Sequence, residues 1–121
     1  MMRKKIFLLE DDEAIRDIIV MLLMDENYEV YEFASVTAFM KGELRPNADL
    51  FLLDIMLPDG SGIEVCTLLK GDRNTKNVPV LMMSAHSNEN EVDGLCKAQG
   101  FLAKPFDIYD FMSKVNRTVN V

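Results

Sequence analysis

Cysteine and histidine are scarce in this chain of 121 residues, which carries two cysteines and a single histidine. Cys66 and Cys96 stand far apart, each within a helix-like pattern, and their spacing fits neither a disulfide framework nor a CxxC metal site. We therefore expect both thiols to be reduced and to serve as packing residues.

Long hydrophobic runs are also missing. The longest unbroken apolar stretch, Ile18 to Met24, has seven residues, whereas a bilayer span needs about 20. The basic start, Met1 to Lys5, is like the start of a signal peptide, but the apolar run behind it stops at Glu10 and is too short for export. We expect a cytoplasmic protein.

Positive charge is in deficit, because 13 lysines and arginines face 20 aspartates and glutamates and give a formal net charge of −7. Such a field repels phosphate backbones and anionic lipid headgroups, so we expect no direct nucleic-acid or membrane binding. Apolar residues make up 49% of the chain and charged residues 27%. This composition and length predict one globular domain over residues 1–121.

Three short segments are apolar with hardly an interruption: Ile6 to Leu9, Leu50 to Leu53 and Val78 to Met83. Continuous rather than alternating hydrophobicity is typical of strands that are buried on both faces, as in the centre of a parallel sheet. Two further strands are predicted at 29–33 and 101–103.

Helical periodicity separates these strands. Apolar residues recur at intervals of three and four from Ile15 to Leu23, and a weaker stripe contains Ile63, Cys66, Leu69 and Lys70. Other helices are predicted at 35–41, 88–98 and 108–118. Five βα units predict an α/β fold, a (βα)5 doubly wound five-stranded parallel sheet with helices on both faces. In such a fold the functional crevice lies beyond the carboxyl ends of the strands.

Polar residues follow four of the five predicted strands: Glu10 and Asp11, Asp54, Ser84 and Lys104. Because parallel strands bring their carboxyl ends together, these five side chains are predicted to meet in one crevice although they are far apart in sequence.

A crevice with three carboxylates needs a positive charge. At about 5 Å each pair would repel by roughly 3 kcal/mol at an effective dielectric of 20. An all-oxygen site favours Mg²⁺ or Mn²⁺ over Zn²⁺. Lys104 adds an ammonium and Ser84 a hydroxyl donor. Together these groups suit a phosphoryl group with an aspartate as its covalent acceptor.

Each of these residues also has an ordinary structural explanation. Acids from Glu10 to Glu13 would stabilise the positive end of the helix that follows, Asp54 precedes a turn at Pro58-Asp59-Gly60, and Ser84 stands where a helix cap is expected. Only their joint placement after successive buried strands favours the functional interpretation.

Four segments closely resemble the receiver domain of two-component response regulators, and the resemblance runs from Lys5 to about Val119. They are Phe7 to Glu13, Leu53 to Gly62, Val80 to Ala85 and Phe101 to Phe106. The resemblance implies a flavodoxin-like topology and a phosphoacceptor switch that takes a phosphoryl group from a sensor histidine kinase or a phosphotransfer protein. It implies Mg²⁺-dependent self-phosphorylation and slow self-dephosphorylation, not the turnover of an enzyme.

The resemblance implies a role for each site residue. Asp54 would be the phosphoacceptor, Lys104 would pair with a phosphoryl oxygen, and the peptide bond before Pro105 would be cis. Glu10 would act largely through metal-bound water. The implied metal ligands for Mg²⁺, or alternatively Mn²⁺, are Glu10, Asp11, Asp54 and the backbone carbonyl of Met56.

Ser84, with Ala85 beside it, and Phe101 stand at the family's phosphoryl-binding and switch positions. The resemblance implies that the hydroxyl moves toward the phosphoryl group while the ring fills the vacated space. This shift would change the surface of the fourth helix, fifth strand and fifth helix, 88–103 and 108–118, which a downstream effector protein or an attached output domain would read. The segment 97–100 lacks the family's usual acidic pattern, so we expect a monomer or a weak dimer.

Met56 and His86 stand where family members tune the access of hydrolytic water. Because a methionine cannot orient attacking water, we expect a longer-lived acyl phosphate than in relatives with a polar residue there. His86 is more often a solvated loop residue than a base.

Other functions remain to be weighed. A receiver fragment of a longer regulator would control a DNA-binding or enzymatic output domain. A phosphatase of the haloacid dehalogenase type also uses an aspartate at a strand end with Mg²⁺, but it needs a second acid where Met56 stands. The fold alone also permits a flavodoxin-like electron carrier, which would be coloured when purified.

Overall fold

A five-stranded parallel sheet organises the described part of the chain, residues 3–42, 47–85 and 96–120, in this computed structural model. Its strand order is β2-β1-β3-β6-β7, and a separate antiparallel hairpin consists of β4 and β5. The strands are β1 (Lys5–Leu9), β2 (Glu29–Phe33), β3 (Leu50–Asp54), β4 (Met56–Leu57), β5 (Gly60–Ser61), β6 (Val80–Ser84) and β7 (Gly100–Ala103).

Helices connect these strands and end the chain. They are α1 (Glu13–Asp25), α2 (Val36–Met40), α3 (Gly62–Gly71) and the C-terminal helix (Ile108–Val119). In the part of the chain that is described, none of them combines the length and the apolar character that a bilayer crossing requires.

The two faces of the sheet bury two separate apolar clusters. On one face, Ile19 of α1 and Phe111 of the C-terminal helix pack against alternate strand residues such as Leu8. On the other face, Phe39 of α2 and Val65 of α3 pack with the remaining strand residues. Every residue of β3 and β6 is buried, which explains why their sequences are apolar throughout. The predicted doubly wound five-stranded parallel sheet is confirmed.

Strand positions were predicted more accurately at β2 than at β6. The segment 29–33 is a strand as predicted, but β6 begins at Val80 rather than at Val78. Pro79 has no N–H to donate to the ladder, although its carbonyl still accepts from Phe51 N at 3.0 Å. Asp54 and Ser84 are the last residues of their strands, not the first residues beyond them.

The apolar stripe of α1 is narrower than its sequence pattern. Ile19 and Leu23 are buried, but Ile18 is 49% exposed and lies in a row with the exposed Met21 and Met24. The prediction that Ile18 belongs to the buried face is therefore wrong. A spacing of four follows the surface that faces the sheet, whereas a spacing of three drifts around the helix toward solvent.

The predicted helix 88–98 falls mainly on 88–95, outside the described residues. Its last residues, 96–98, are described and are not helical, so this end of the prediction is wrong, as is the placement of Cys96 in a helix. Gln99 explains the extended path, because its N–H donates to Val80 O at 2.8 Å and its side-chain oxygen accepts from Val80 N at 2.7 Å. The segment is thereby tied to the start of β6.

Gly62 joins α3 to the end of β3. Its N–H donates to Ile55 O at 2.8 Å, and an added Cβ would lie 2.0 Å from the carbonyl oxygen of Asp54. By contrast, a Cβ on Gly71, at the other end of the same helix, would meet no atom within 4 Å. Glycine is needed at residue 62 because two backbone segments approach closely there.

These two glycines give a matched pair for a stability test. We expect Gly62→Ala to lower the free energy of unfolding by about 1–3 kcal/mol, because the strand end must move. Gly71→Ala should leave that free energy unchanged or raise it by up to about 1 kcal/mol. Urea unfolding measures both values, and equal effects at the two positions would contradict the close packing of Gly62 on Asp54.

Candidate functional site

The strand order reverses between β1 and β3, and open α/β sheets bind ligands beside such a reversal. Leu9 of β1 is paired with Leu53 of β3. The next residue on each strand is therefore an acid, Glu10 on one and Asp54 on the other, and both stand at the carboxyl-terminal edge of the sheet.

The acidic cluster contains Glu10, Asp11 and Asp54. One carboxylate oxygen from each residue lies within 4.8 Å of the other two. Glu10 is fully buried, Asp54 is 5% exposed, and Asp11 is exposed. A small ligand would therefore meet Asp11 from solvent and the two buried acids behind it.

Lys104 reaches the same cluster from β7. Its N–H donates to Ser84 O at 2.9 Å, and the Lys104-Pro105 peptide bond is cis. The ammonium forms an ion pair with Oε1 of Glu10 and lies 3.3 Å from Oδ2 of Asp54. The structure thus brings together side chains from three strand ends that are distant in sequence.

One ammonium does not balance the negative charge of this cluster. Burial raises the pKa of Asp54 to about 7, the charge of Glu10 raises it further, and Lys104 acts in the opposite direction. Burial would lower the pKa of Lys104, but its hydrogen bond to Glu10 and the charge of Asp54 outweigh burial and raise that pKa. An additional cation is the natural partner for such a cluster.

The donor set fits a hard divalent cation. The acidic cluster offers only carboxylate oxygens, which Mg²⁺ and Mn²⁺ prefer, and Asp11 leaves it open to solvent. The raised pKa of Asp54 indicates that its ionised form lacks sufficient positive charge nearby. The cluster could therefore hold a metal ion.

Two supporting residues were not singled out by the sequence patterns. Asp12 caps α1 by accepting from Ile15 N at 3.1 Å, and its own N–H donates to Oε2 of Glu10 at 3.1 Å. Arg16 donates to the carbonyl of Glu10 at 2.9 Å and forms an ion pair with Glu32 of β2. The spacing of an N-cap was a signal for Asp12. The role of Arg16 has no local signal, because its partner Glu32 lies on another strand.

The hairpin of β4 and β5 follows Asp54 directly. The segment Pro58-Asp59-Gly60 turns as predicted, but Asp59 has a further role. Its carboxylate accepts from the N–H groups of Val36 and Thr37, both at 2.9 Å, and from the Thr37 hydroxyl at 2.6 Å. The hydrogen bond from the Thr37 side chain is the main reason that the pKa of Asp59 is lowered. Asp59 thereby holds the hairpin against the start of α2, and Met56 at its beginning is 56% exposed.

The remaining predicted site residues lie on β6 and β7 or beyond. Ser84 is buried at the end of β6, where it pairs with Ala103, and the following Ala85 is exposed. Phe101 is buried, 7% exposed, in the cluster between the sheet and helices α2 and α3. His86 lies outside the described residues.

The raised pKa of Asp54 predicts a specific pH dependence of stability. Without metal, the contribution of its protonated form is fully present below about pH 4 and is lost as pH rises through about 7. In chelator-containing buffer, Asp54→Asn should therefore become progressively more stable than the parent chain between those values. Urea unfolding at several pH values measures the difference.

Asp17→Asn is the control, because it removes one exposed acid from α1 without touching the cluster. We expect its stability relative to the parent chain to vary much less over the same pH range. A difference between Asp54→Asn and the parent that stays constant with pH would show that the Asp54 carboxyl is not perturbed.

Comparison with known proteins identifies the family. The family model "Response regulator receiver domain" matches residues 6–116. The phosphate regulon transcriptional regulatory protein PhoB of Klebsiella pneumoniae is 31% identical over 116 residues, covering 94% of this chain and 51% of PhoB. The chain spans about half the length of the curated relatives it matches.

Solved structures agree on the fold. Chemotaxis response regulator CheY4 of Vibrio cholerae is similar with a TM-score of 0.88 at 22% identity, covering 97% of this chain and 99% of CheY4. The beryllofluoride-activated DrrB receiver domain is similar with a TM-score of 0.87 at 25% identity, covering 99% and 100% of the two chains. The sequence match over nearly the whole chain and the shared sheet topology lead to one conclusion: this chain belongs to the family of response regulator receiver domains, which are signalling switches.

Proposed function

We propose that this receiver domain accepts a phosphoryl group on Asp54 and thereby changes a surface that another protein or domain reads. The observation that carries this proposal is the setting of Asp54, a buried carboxylate between two further acids and the ammonium of Lys104. The donor would be a sensor histidine kinase or a phosphotransfer protein. The reacting unit would be a single domain over residues 1–121 that acts as a monomer or a weak dimer.

Asp54 is the acid best placed to act as the nucleophile. Glu10 is fully buried and already binds Lys104 and the Asp12 N–H, whereas Asp11 is exposed and has no ammonium from Lys104 on it among the ion pairs of the described residues. An attacking carboxylate must be ionised, and added positive charge beside Asp54 would bring its pKa down from about 7.

The residues that would hold Mg²⁺, or alternatively Mn²⁺, are Glu10, Asp11, Asp54 and the backbone carbonyl of Met56. When bound, the ion would neutralise the acidic cluster so that an anionic phosphoryl donor can approach. Arg16 and Asp12 support this role because they fix the carbonyl and the carboxylate of Glu10 through hydrogen bonds. Asp59 does the same for the hairpin that carries Met56.

Lys104 gives the switch its moving charge. It is bound to Glu10 and lies 3.3 Å from Asp54 in this structure. A phosphoryl group on Asp54 adds strong acceptor oxygens within reach of that ammonium, which would then pair with them. Ser84 would donate its hydroxyl and Ala85 its backbone N–H to the same group, and both follow or end β6 at this edge.

Phe101 would pass the change to the surface. It lies on β7, three residues before Lys104, and packs in the core cluster that includes α3. A shift of Lys104 and Ser84 would alter the space around this ring and the surface of 88–103 and 108–118. The chain would undergo Mg²⁺-dependent self-phosphorylation and slow self-dephosphorylation without turning over a separate substrate.

The reader of that surface could be a separate effector protein or an attached output domain. The second possibility is supported by the relatives, because PhoB is described as a transcriptional regulatory protein and is about twice as long as the matched segment. In that case this chain would control DNA binding by an attached domain. The beryllofluoride-activated state of the similar DrrB domain supports phosphoryl chemistry in either case, since beryllofluoride mimics a phosphoryl group.

Phosphorylation of the purified chain tests the central proposal. With acetyl phosphate and Mg²⁺, we expect the intact mass to rise by one phosphoryl group and fragmentation to place that group on Asp54. Asp54→Asn should not acquire it, and a chelator should abolish labelling because the acidic cluster repels an anionic donor. Asp17→Asn should label like the parent chain. Labelling of Asp54→Asn, or labelling that persists without metal, would reject the proposed site.

The lifetime of the acyl phosphate tests the role of Met56. We expect Met56→Asn to lose the phosphoryl group faster by about tenfold, or ~1.4 kcal/mol in activation free energy, because an amide can orient the attacking water. Met24→Asn is the matched control, since Met24 is 59% exposed on α1 and Met56 is 56% exposed. Phosphate release after removal of the donor gives the rates, and a faster rate for the parent chain than for Met56→Asn would overturn this role.

A further inference from the structure

The two cysteines of the chain meet in the folded structure. Cys66 lies on α3 and is fully buried, and Cys96 lies in the extended segment before β7 and is partly buried against the same cluster. The side chain of Cys66 is in hydrogen-bonding contact with that of Cys96 and with the backbone N–H of Lys97. Packing alone does not require two thiols to face each other.

This pair is remote from the phosphoryl chemistry. The segment with Cys96 is anchored through Gln99 to Val80, the first residue of β6. Asp54 and Ser84 lie at the opposite, carboxyl-terminal ends of their strands. An inference about the cysteine pair therefore stands apart from the proposed function.

A positive charge accompanies the two sulfur atoms. The ammonium of Lys70, one helical turn after Cys66, interacts electrostatically with both thiols. It is held in place by the carbonyl of Val78 at 2.8 Å and that of Lys76 at 3.3 Å. A nearby ammonium favours a thiolate over a thiol, and the thiolate is the form that oxidants attack.

The two thiols differ in their access to solvent. Cys66 is fully buried, and burial, followed by the contact with Cys96, raises its pKa to about 12. It therefore stays protonated and shielded. Cys96 is partly exposed and is the thiol that a dissolved oxidant reaches first.

We propose that Cys66 and Cys96 form a reversible disulfide within one chain when the protein meets a peroxide. In the first step the Cys96 thiolate attacks one oxygen of hydrogen peroxide, the O–O bond breaks, and a sulfenic acid and a hydroxide ion form. In the second step the Cys66 sulfur attacks the Cys96 sulfur, the S–OH bond breaks, and the Cys66 proton leaves with the hydroxide as water. In total two thiols are oxidised, one peroxide is reduced, and two waters are released.

The disulfide would tie α3 to the segment that leads into β7. This segment ends five residues after Cys96 at Phe101, on the strand that also carries Lys104. Oxidation would therefore restrict the approach to β7 without touching Asp54. The cross-link is a modification site on the face of the domain that holds α2 and α3.

Peroxide oxidation of the parent chain tests this directly, since it has no third cysteine. After brief exposure, the chain is unfolded, its free thiols are alkylated, and its intact mass is measured. We expect both thiols to be protected from alkylation, a mass lower by two hydrogen atoms, and a peptide that joins Cys66 to Cys96. Dithiothreitol should restore both alkylation sites, and the chain should stay monomeric.

Two serine variants separate the steps. Cys66→Ser should leave a sulfenic acid on Cys96 that dimedone traps, and Cys96→Ser should leave Cys66 unoxidised and open to alkylation once unfolded. The proposal is overturned if the oxidised parent chain keeps two alkylatable thiols, if Cys96 is oxidised further while Cys66 stays free, or if disulfides form only between chains. The decisive readout uses the parent chain, so it holds even if a variant does not fold, and it is independent of any labelling of Asp54.

Discussion

The rest of the site depends on two buried carboxylates that share one ammonium. Glu10 and Asp54 end adjacent strands with almost no exposure to solvent, and Lys104 is the cation that contacts both among the ion pairs of the described residues. Charges of like sign at this distance are costly in a medium of low dielectric, so the cluster stays short of positive charge. The raised pKa of Asp54 expresses that shortage. The same shortage makes the edge of the sheet receptive to a hard cation and sensitive to a phosphoryl group.

The fold holds this unfavourable arrangement by fixing the backbone on all sides of it. The N–H groups and carbonyls of the strands are engaged in the sheet, and Gly62 packs against the carbonyl of Asp54 so closely that no side chain fits. Arg16 holds the loop after β1, and Asp59 holds the hairpin after β3. Each of these contacts uses groups outside the acidic cluster. The cluster can therefore change its charge while the scaffold stays in place.

The accuracy of the sequence-based predictions follows the physical origin of each signal. Continuous apolar runs predicted the central strands well, because burial on both faces leaves no other composition. Edges and caps were less accurate. The start of β6 was misplaced at Pro79, and the exposure of Ile18 was missed because the sequence does not show which side of α1 meets the sheet. The hairpin of β4 and β5 carried only a turn signal.

Contacts between distant segments account for most of what the patterns missed. Asp59 bonds to the start of α2, Arg16 to Glu32, and Cys66 touches Cys96, and in each case the partner lies on another element. Cys66 and Cys96 were correctly predicted as reduced packing residues, but their contact with each other has no counterpart in their spacing. Local patterns cannot contain such pairs, because only the assembled sheet brings them together.

The sequence by itself determined the parallel sheet, the family, and the acids and lysine that gather at one edge. Burial and strand order are encoded by the pattern of apolar runs, and parallel strands necessarily bring their carboxyl ends together. Only the tertiary structure decided that Lys104 binds Glu10 as well as Asp54, and that Asp54 is held near neutral pH. It also decided that the two cysteines face each other. These properties depend on distances of a few ångströms and on the exclusion of water, which arise only when the helices close over the sheet.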